Sequence, residues 1–390
     1  MTFKLAVLSI DGGGIRGIVP AMILAKIEEK TKKPIHELFD LIAGTSTGGI
    51  LSLGLVKPNK DNEAEFSAED LVKLYTDERN KIFKKRKIFD LPFDKWPFNN
   101  LLLFRLLESL RTSLDLQISP EELIRSKYTR DEKEKVIKSR LGKTPLNKAL
   151  TEVIITSYAI NKRIPLLFTS NPDKEELKSN NFHRICSGYT MYNAAMATSA
   201  APTFFKPYSP EYISSEREKY LFIDGGVIAN NPTYIAIIEA MKSYEIKIGT
   251  IGLQEILVVS LGTGAVAEPF SKETEKWGLI QWVKPLINIV FSGQSEIITY
   301  QMEHLLSKDK QYYRFQFNCE KFEKNKLDIS SLPEKCNVNE AMDDVREENI
   351  QELQKAAKKL IGEEYSKLEN LCDVLSASLN TRELLKKKKI

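Results

Sequence analysis

FKLAVLSI (Phe3–Ile10) runs into DGGGIRG (Asp11–Gly17) and IVPAMILAKIEEK (Ile18–Lys30), and FDLIA (Phe39–Ala43) runs into GTSTGG (Gly44–Gly49) and on to Val56. The reading of this stretch decides the fold. FKLAVLSI is short, apolar and partly β-branched and stops at glycines, as a buried strand does. The next segment reads as a helix, because Pro20 falls in its first turn, where a missing N–H costs nothing. FDLIA is a second strand, and Gly48 to Val56 an apolar helix. Strand, glycine turn and helix, twice over, predict a parallel α/β sheet.

Working outward, Ser67-Ala68-Glu69-Asp70 reads as a helix N-cap, and Ser119-Pro120-Glu121-Glu122 as a stronger one. Val153–Ile160 and Pro165–Thr169 read as strands. Leu221–Ile223 is a short strand ending in Asp224-Gly225-Gly226, and Ile256–Leu261 is another, ending in Gly262-Thr263-Gly264. Asn339–Ile361 reads as a charged amphipathic helix, and the tail from Thr381 ends in the basic run Lys386–Lys389.

Composition narrows the classes. The 390 residues are 42% hydrophobic and 28% charged, enough for a large core and not the balance of a disordered chain. A net charge of +4 from 57 basic and 53 acidic residues is too even for a nucleic-acid binder. Cys186, Cys319, Cys336 and Cys372 form no CxxC pair, so neither a zinc site nor a disulfide framework is expected, and a reducing compartment fits. No secretory signal is visible, since Leu5–Ile10 runs straight into Asp11. Leu279–Phe291 is broken by Lys284 and Pro285 and falls short of the roughly 20 residues a bilayer span needs. The expectation is a cytoplasmic chain that sits peripherally on membranes.

Three glycine turns follow strands, and the carboxyl ends of strands are where open α/β sheets place their sites. Gly44-Thr45-Ser46-Thr47-Gly48 matches G-x-S-x-G between strand and helix, which puts Ser46 on a strained elbow with its oxygen in a cleft. An incidental serine in a tight loop is the plain alternative. Gly12, Gly13 and Gly14 leave amides free for a developing oxyanion, and Arg16 adds positive charge nearby. Gly12, Gly14 and Gly17 also satisfy G-x-G-x-x-G, a dinucleotide fingerprint, but Glu28 and Glu29 are not delivered by a second strand, and Asp11 would face the pyrophosphate. Asp224, between a strand and Gly225-Gly226, offers a base if burial raises its pKa. His304 has the chain order of a hydrolase triad but lies in a helical pattern, while His36 and His183 come in the wrong order. A Ser46–Asp224 dyad is the better reading.

Taken in order, DGGGIRG, GTSTGG and DGG resemble the signature turns of the patatin-like phospholipases. Ala197–Phe205 (ATSAAPTFF) and Asn230-Asn231-Pro232 resemble the family as well. The resemblance runs from about Leu5 to Gly264. It implies a three-layer α/β/α sandwich on a mainly parallel sheet. It also implies hydrolysis of glycerophospholipid acyl esters without a metal or other cofactor. Ser46 would be the nucleophile, Asp224 the proton acceptor, and Gly12–Gly14 the oxyanion loop. Residues 1–265 would then form the catalytic domain, and 266–390 a largely helical extension that partly completes it. The expected partner is a phospholipid surface or lipid substrate. Trp96 within Ile88–Leu107 and Trp277 and Trp282 within Trp277–Phe291 stand beside basic residues, as an interfacial surface requires, or pack as core. The Lys386–Lys389 run reads as a solvated terminus before a lipid anchor. Two alternatives stay open: a soluble esterase or thioesterase, and an effector gated by a nucleotide or protein activator acting on the region after Val266.

Overall fold

In the computed structural model, which describes residues 2–85, 126–175, 182–210, 220–267, 272–320 and 336–387, eight strands share one sheet. They are β1 (Leu5–Ile10), β2 (Leu41–Gly44), β3 (Glu152–Ala159), β4 (Ile164–Thr169), β5 (His183–Ile185), β6 (Phe222–Asp224), β7 (Ile256–Leu261) and β8 (Tyr312–Phe315). The order is β5-β4-β3-β2-β1-β7-β8, with β6 on β3. All pairings are parallel except those of β3 with β4 and with β6.

The layers follow from strand alternation. Leu8, Ile10, Ile42, Ile155, Leu257 and Val259 join one apolar cluster, while Val7, Leu41, Ala43, Ile154 and Val258 join another on the opposite face. The first face is covered by α1 (Ile18–Thr31), α2 (Thr47–Leu55), α3 (Ala68–Thr76), α4 (Asp131–Leu141) and α5 (Met191–Thr198). The second is covered by α6 (Thr233–Lys247) and the end of α7 (Leu279–Leu305). This is a mainly parallel sheet between helical layers. A helical C-terminal region, α8 (Glu347–Glu363) and α9 (Tyr365–Lys387), packs on α1. Ser67 caps α3 through a reciprocal pair with Asp70, as the sequence predicts. The N-cap at Ser119 and the Trp96 segment lie outside the described residues.

Two expectations are corrected. The helix expected from Asn339 starts only at Glu347. Ahead of it the Asn339 amide donates to Asp344 at 2.8 Å, and Asp344 accepts the Arg346 N–H at 3.2 Å. Short polar side chains that bind nearby backbone favour turns over helix. Cys319 and Cys336 form a disulfide with Cα atoms 5.5 Å apart, where no bridge was expected. Their spacing of 17 residues has no pattern that announces a pair, and only the fold brings them together. Within the largely helical chain after Val266, β8 adds a strand to the main sheet beside β7.

α9 is structural, not an appended tail. Leu368, Leu371 and Leu375 are fully buried in the main core, and the Phe3 N–H donates to Ser378 Oγ at 3.1 Å. Leu371→Ala should therefore lower the unfolding free energy by about 3 kcal/mol in urea titrations, as core leucines do. The exposed substitution Lys359→Ala should change it by less than about 0.5 kcal/mol.

Candidate active site

Ser46 connects β2 to α2 with φ 54° and ψ −118°, a conformation that non-glycine residues avoid. The turn can be this sharp because its flanks carry no side chains. A Cβ on Gly48 would sit 2.2 Å from the Ile10 carbonyl oxygen, and one on Gly44 2.3 Å from that of Gly48. The Ser46 N–H donates to the Thr198 hydroxyl at 2.8 Å, which fixes the strained residue from the opposite side. Thr45 Oγ1 bonds Thr156 Oγ1 at 2.7 Å and the Ala229 carbonyl at 2.6 Å. The Thr47 hydroxyl bonds Tyr75, beside Gly17. The residues around Ser46 are thus tied down below it, and its hydroxyl lines a pocket.

The glycine loop stands across that pocket. Gly13 and Gly14 line it together with Ser46, and Gly14 has φ 58° with the Met342 carbonyl where a Cβ would go. The Gly12 N–H is already donated to the Asn230 carbonyl at 3.0 Å. Among the described residues no acceptor meets the Gly13 or Gly14 amides, so these two are the free donors of the expected set. The Ile15 N–H donates to Met342 at 2.8 Å, so a donor at the helix entrance is not free for a pyrophosphate.

Asp11 at the head of the loop does not line the Ser46 pocket. It is 1% exposed and bound in a two-pronged ion pair by Arg314 of β8, at 3.0 and 2.6 Å. Ser295 adds a donor at 2.9 Å, and Arg314 also reaches Ser260 of β7 at 2.8 Å. Sequence reasoning passed over Arg314. The available signal was an arginine inside the aromatic strand YYRF, since arginine is hardly ever fully buried unless paired. Arg16 departs from its expected role. It does not line the Ser46 pocket but a polar cavity of about 580 Å³ behind the loop, where it donates to the Gly13 and Gly264 carbonyls at 3.5 Å. Burial lowers its pKa to about 10, with Glu340 pulling the other way.

Asp224 ends β6, opposite Ser157 of β3, and has no solvent exposure. Its Oδ1 accepts the Gly226 N–H at 2.7 Å, its own N–H donates to the Ala200 carbonyl at 3.0 Å, and Gly225 N–H donates to Thr198. Oδ2 has no hydrogen-bond partner among the described residues. Burial raises the carboxyl to about 6; the Ser46 hydroxyl, the Gly226 amide and the Lys133 ammonium oppose the rise. The Ser46 hydroxyl is therefore close enough to act on Asp224 but is not in a regular hydrogen bond, as is common for catalytic groups before substrate binds. The pocket holds about 60 Å³ and is otherwise walled by Ile15, Ile50, Leu74, Ile82, Phe83, Phe204, Phe205 and Phe291.

Lys133 lines the same pocket and carried no signal in sequence, because DEKEKVIKSRL is charged throughout. Thr198 was legible only as part of ATSAAPTFF, without a role. His304 lies exposed on α7, bonded through Nδ1 to the Tyr300 carbonyl at 2.7 Å, and does not line the pocket. Among the described residues no group of three or more His, Cys, Asp or Glu side chains is placed to hold a metal ion.

A family model described as patatin-like phospholipase matches residues 8–237. Patatin-like protein 2 of Arabidopsis thaliana is 32% identical, over 80% of this chain and 75% of its own. Patatin-like protein 2 of Oryza sativa subsp. indica is 29% identical, over 97% of this chain and 90% of its own. Patatin-T5 of Solanum tuberosum is 30% identical, over 93% and 84%.

The buried pair behind the loop makes a direct prediction. Arg314→Met leaves Asp11 in the interior without its cation and should cost about 3–5 kcal/mol in urea unfolding. Replacing both partners, Asp11→Leu with Arg314→Met, should recover more than half of that loss. Additive losses in the double variant would show that the pair is not the interaction that matters.

Proposed function

Because the chain belongs to the patatin-like phospholipase family, we propose that it hydrolyses fatty acyl esters of glycerophospholipids, with Ser46 as nucleophile and Asp224 as base. One observation carries the reading. A serine on a strained elbow shares a mostly apolar pocket with a buried carboxyl near pKa 6 and two free amides. A carboxylate at its ordinary value of 3.8 is a poor base, and desolvation moves it toward working pH.

The Ser46 oxygen attacks the ester carbonyl carbon as its proton passes to Asp224. The resulting oxyanion is held by the Gly13 and Gly14 amides, each such donor contributing about 3 kcal/mol. Collapse expels the alcohol, which takes the proton from Asp224. Asp224 then removes a proton from water, the hydroxide attacks the acyl-enzyme, and fatty acid leaves as Ser46 regains its proton. Residues 1–265 supply these groups, and residues 266–390 complete the sheet and brace the loop through Arg314 and Met342.

Lipid as the substrate is supported by α7. Trp282, Leu286, Ile289, Val290, Ile297 and Tyr300 are exposed at helical spacing, while Phe291 of the same helix lines the pocket. Among the described residues no helix is long and apolar enough to cross a membrane, so contact through this stripe would be peripheral. A short soluble ester is the second reading. It is favoured by the pocket of about 60 Å³, small against the ~300 Å³ of a typical ligand site.

Fatty-acid release from mixed phospholipid vesicles separates them. Ser46→Ala and Asp224→Asn should each lose at least about 10³-fold in kcat/KM, and His304→Ala should stay within about twofold. Leu286→Ser with Ile289→Ser should weaken vesicle binding and leave short-ester hydrolysis intact. Activity on short esters alone would favour the second reading, and an unreactive Ser46 on both substrates would sink the first.

The raised Asp224 pKa adds two pH effects. The base is active only when ionised, so kcat/KM should fall about tenfold per unit below pH 6. Stability runs the other way. A folded pKa above the unfolded 3.8 favours the folded state below that value, and the advantage is lost as pH rises through 6. Asp224→Asn should therefore unfold in urea at higher free energy than the parent at pH 8, by up to about 3 kcal/mol, with the difference fading toward pH 4.

A further inference from the structure

Lys133 is 2% exposed, yet it has no ion-pair partner among the described residues. Its ammonium donates to the Ser199 carbonyl and lies 3.9 Å from the centroid of the Phe205 ring. A buried ammonium ordinarily comes with carboxylates. Lys174, equally buried in the turn after β4, has two, Glu152 at 2.6 Å and Glu239 at 3.4 Å. The charged groups around α4 are already engaged. Glu132 meets Lys84 and Lys135, and Glu134 meets Arg130 and the Tyr192 hydroxyl of α5. Glu78 meets Lys81 and Arg140, and Tyr75 of α3 meets Thr47. Among the described residues, Asp224 is the charge left to share the pocket with Lys133.

The point of attachment matters as well. Ser199 lies between Thr198, whose hydroxyl accepts the Ser46 N–H, and Ala200, whose carbonyl accepts the Asp224 N–H. Anchoring a carbonyl needs only a neutral donor. A positive charge on the segment that holds the backbone N–H groups of Ser46 and Asp224 does something more.

We propose that Lys133 is the counter-charge of Asp224, a positioning residue that keeps the buried carboxyl ionised and so available as a base. The inference rests on the Ser46–Asp224 reading for its consequence in turnover, but not for the electrostatic coupling itself. In keeping with it, burial lowers the lysine to about 7 while Asp224 holds it up, and Lys133 holds Asp224 down. The two groups stabilise each other's charged forms in a site that disfavours both.

The test follows Asp224 directly, by ¹³C NMR of the full-length chain labelled at aspartate Cγ, with the signal assigned through Asp224→Asn. Lys133→Met and Lys133→Gln should raise the Asp224 midpoint by about one unit or more, and Lys133→Arg should keep it near the parent value. In the parent, the Asp224 signal should show a second, smaller step near pH 7, where Lys133 loses its proton. An unmoved midpoint in the two neutral variants overturns the proposal, and so does the absence of the second step if those variants do not fold. Short-ester hydrolysis at pH 6 should fall about fivefold or more in kcat for Lys133→Met with KM unchanged. Because the carboxyl titration needs no turnover, an enzyme silent on every ester would count against the hydrolase reading and not against this coupling.

Discussion

The glycine loop can offer unengaged amides only because something else holds it, and the buried pair between Asp11 and Arg314 does so. The pair ties the end of β1 to β8, with Ser260 of β7 between them, so the loop is pinned from behind by the edge of its own sheet. A surface pair would be worth little, being screened and floppy. Out of water, its value lies in what removing one partner would leave behind. The Met342 carbonyl completes the support, taking the Ile15 N–H and closing over Gly14. Both supports come from residues beyond 265, which is why the C-terminal part bears on the pocket although, among the described residues, it adds only Phe291 and Met342 to its walls.

The pocket itself is a compromise between desolvation and charge. Aromatic and aliphatic walls raise the basicity of Asp224 but would, unopposed, leave it protonated. Oδ2 without a hydrogen-bond partner among the described residues is the visible sign of that strain. One amide, one hydroxyl and one buried ammonium pull the carboxyl back to where both protonation states are within reach. The conformation of Ser46 is a second expense on the same side, held by Thr198 and permitted by Gly44 and Gly48. Stability given up at these few residues is supplied by the two apolar layers packed on the sheet.

How much was legible depends on range. β1, α1, β2 and α2 appear close to where periodicity and glycine punctuation put them, because local chemistry governs strand ends, caps and turns. The Ser67 cap and the strand before Asp224 are of the same kind. The helix expected from Asn339 went astray where asparagine and aspartate side chains compete with the helix for backbone partners. The Cys319–Cys336 bridge was missed for the opposite reason, since no local pattern encodes a contact that forms only when the chain returns.

The three turns, their order, the serine and the aspartate were determined by sequence alone, because each needs a particular residue type at a particular step of the backbone. Partnership was decided by the tertiary structure. It assigned Gly12's amide to Asn230 and left Gly13 and Gly14 free. It turned Arg16 away from the pocket, paired Asp11 with Arg314, and brought Lys133 in from a helix that looked wholly solvated. Such choices depend on which groups lose their water together. Desolvation is a property of the packed neighbourhood, which no segment of the chain carries by itself.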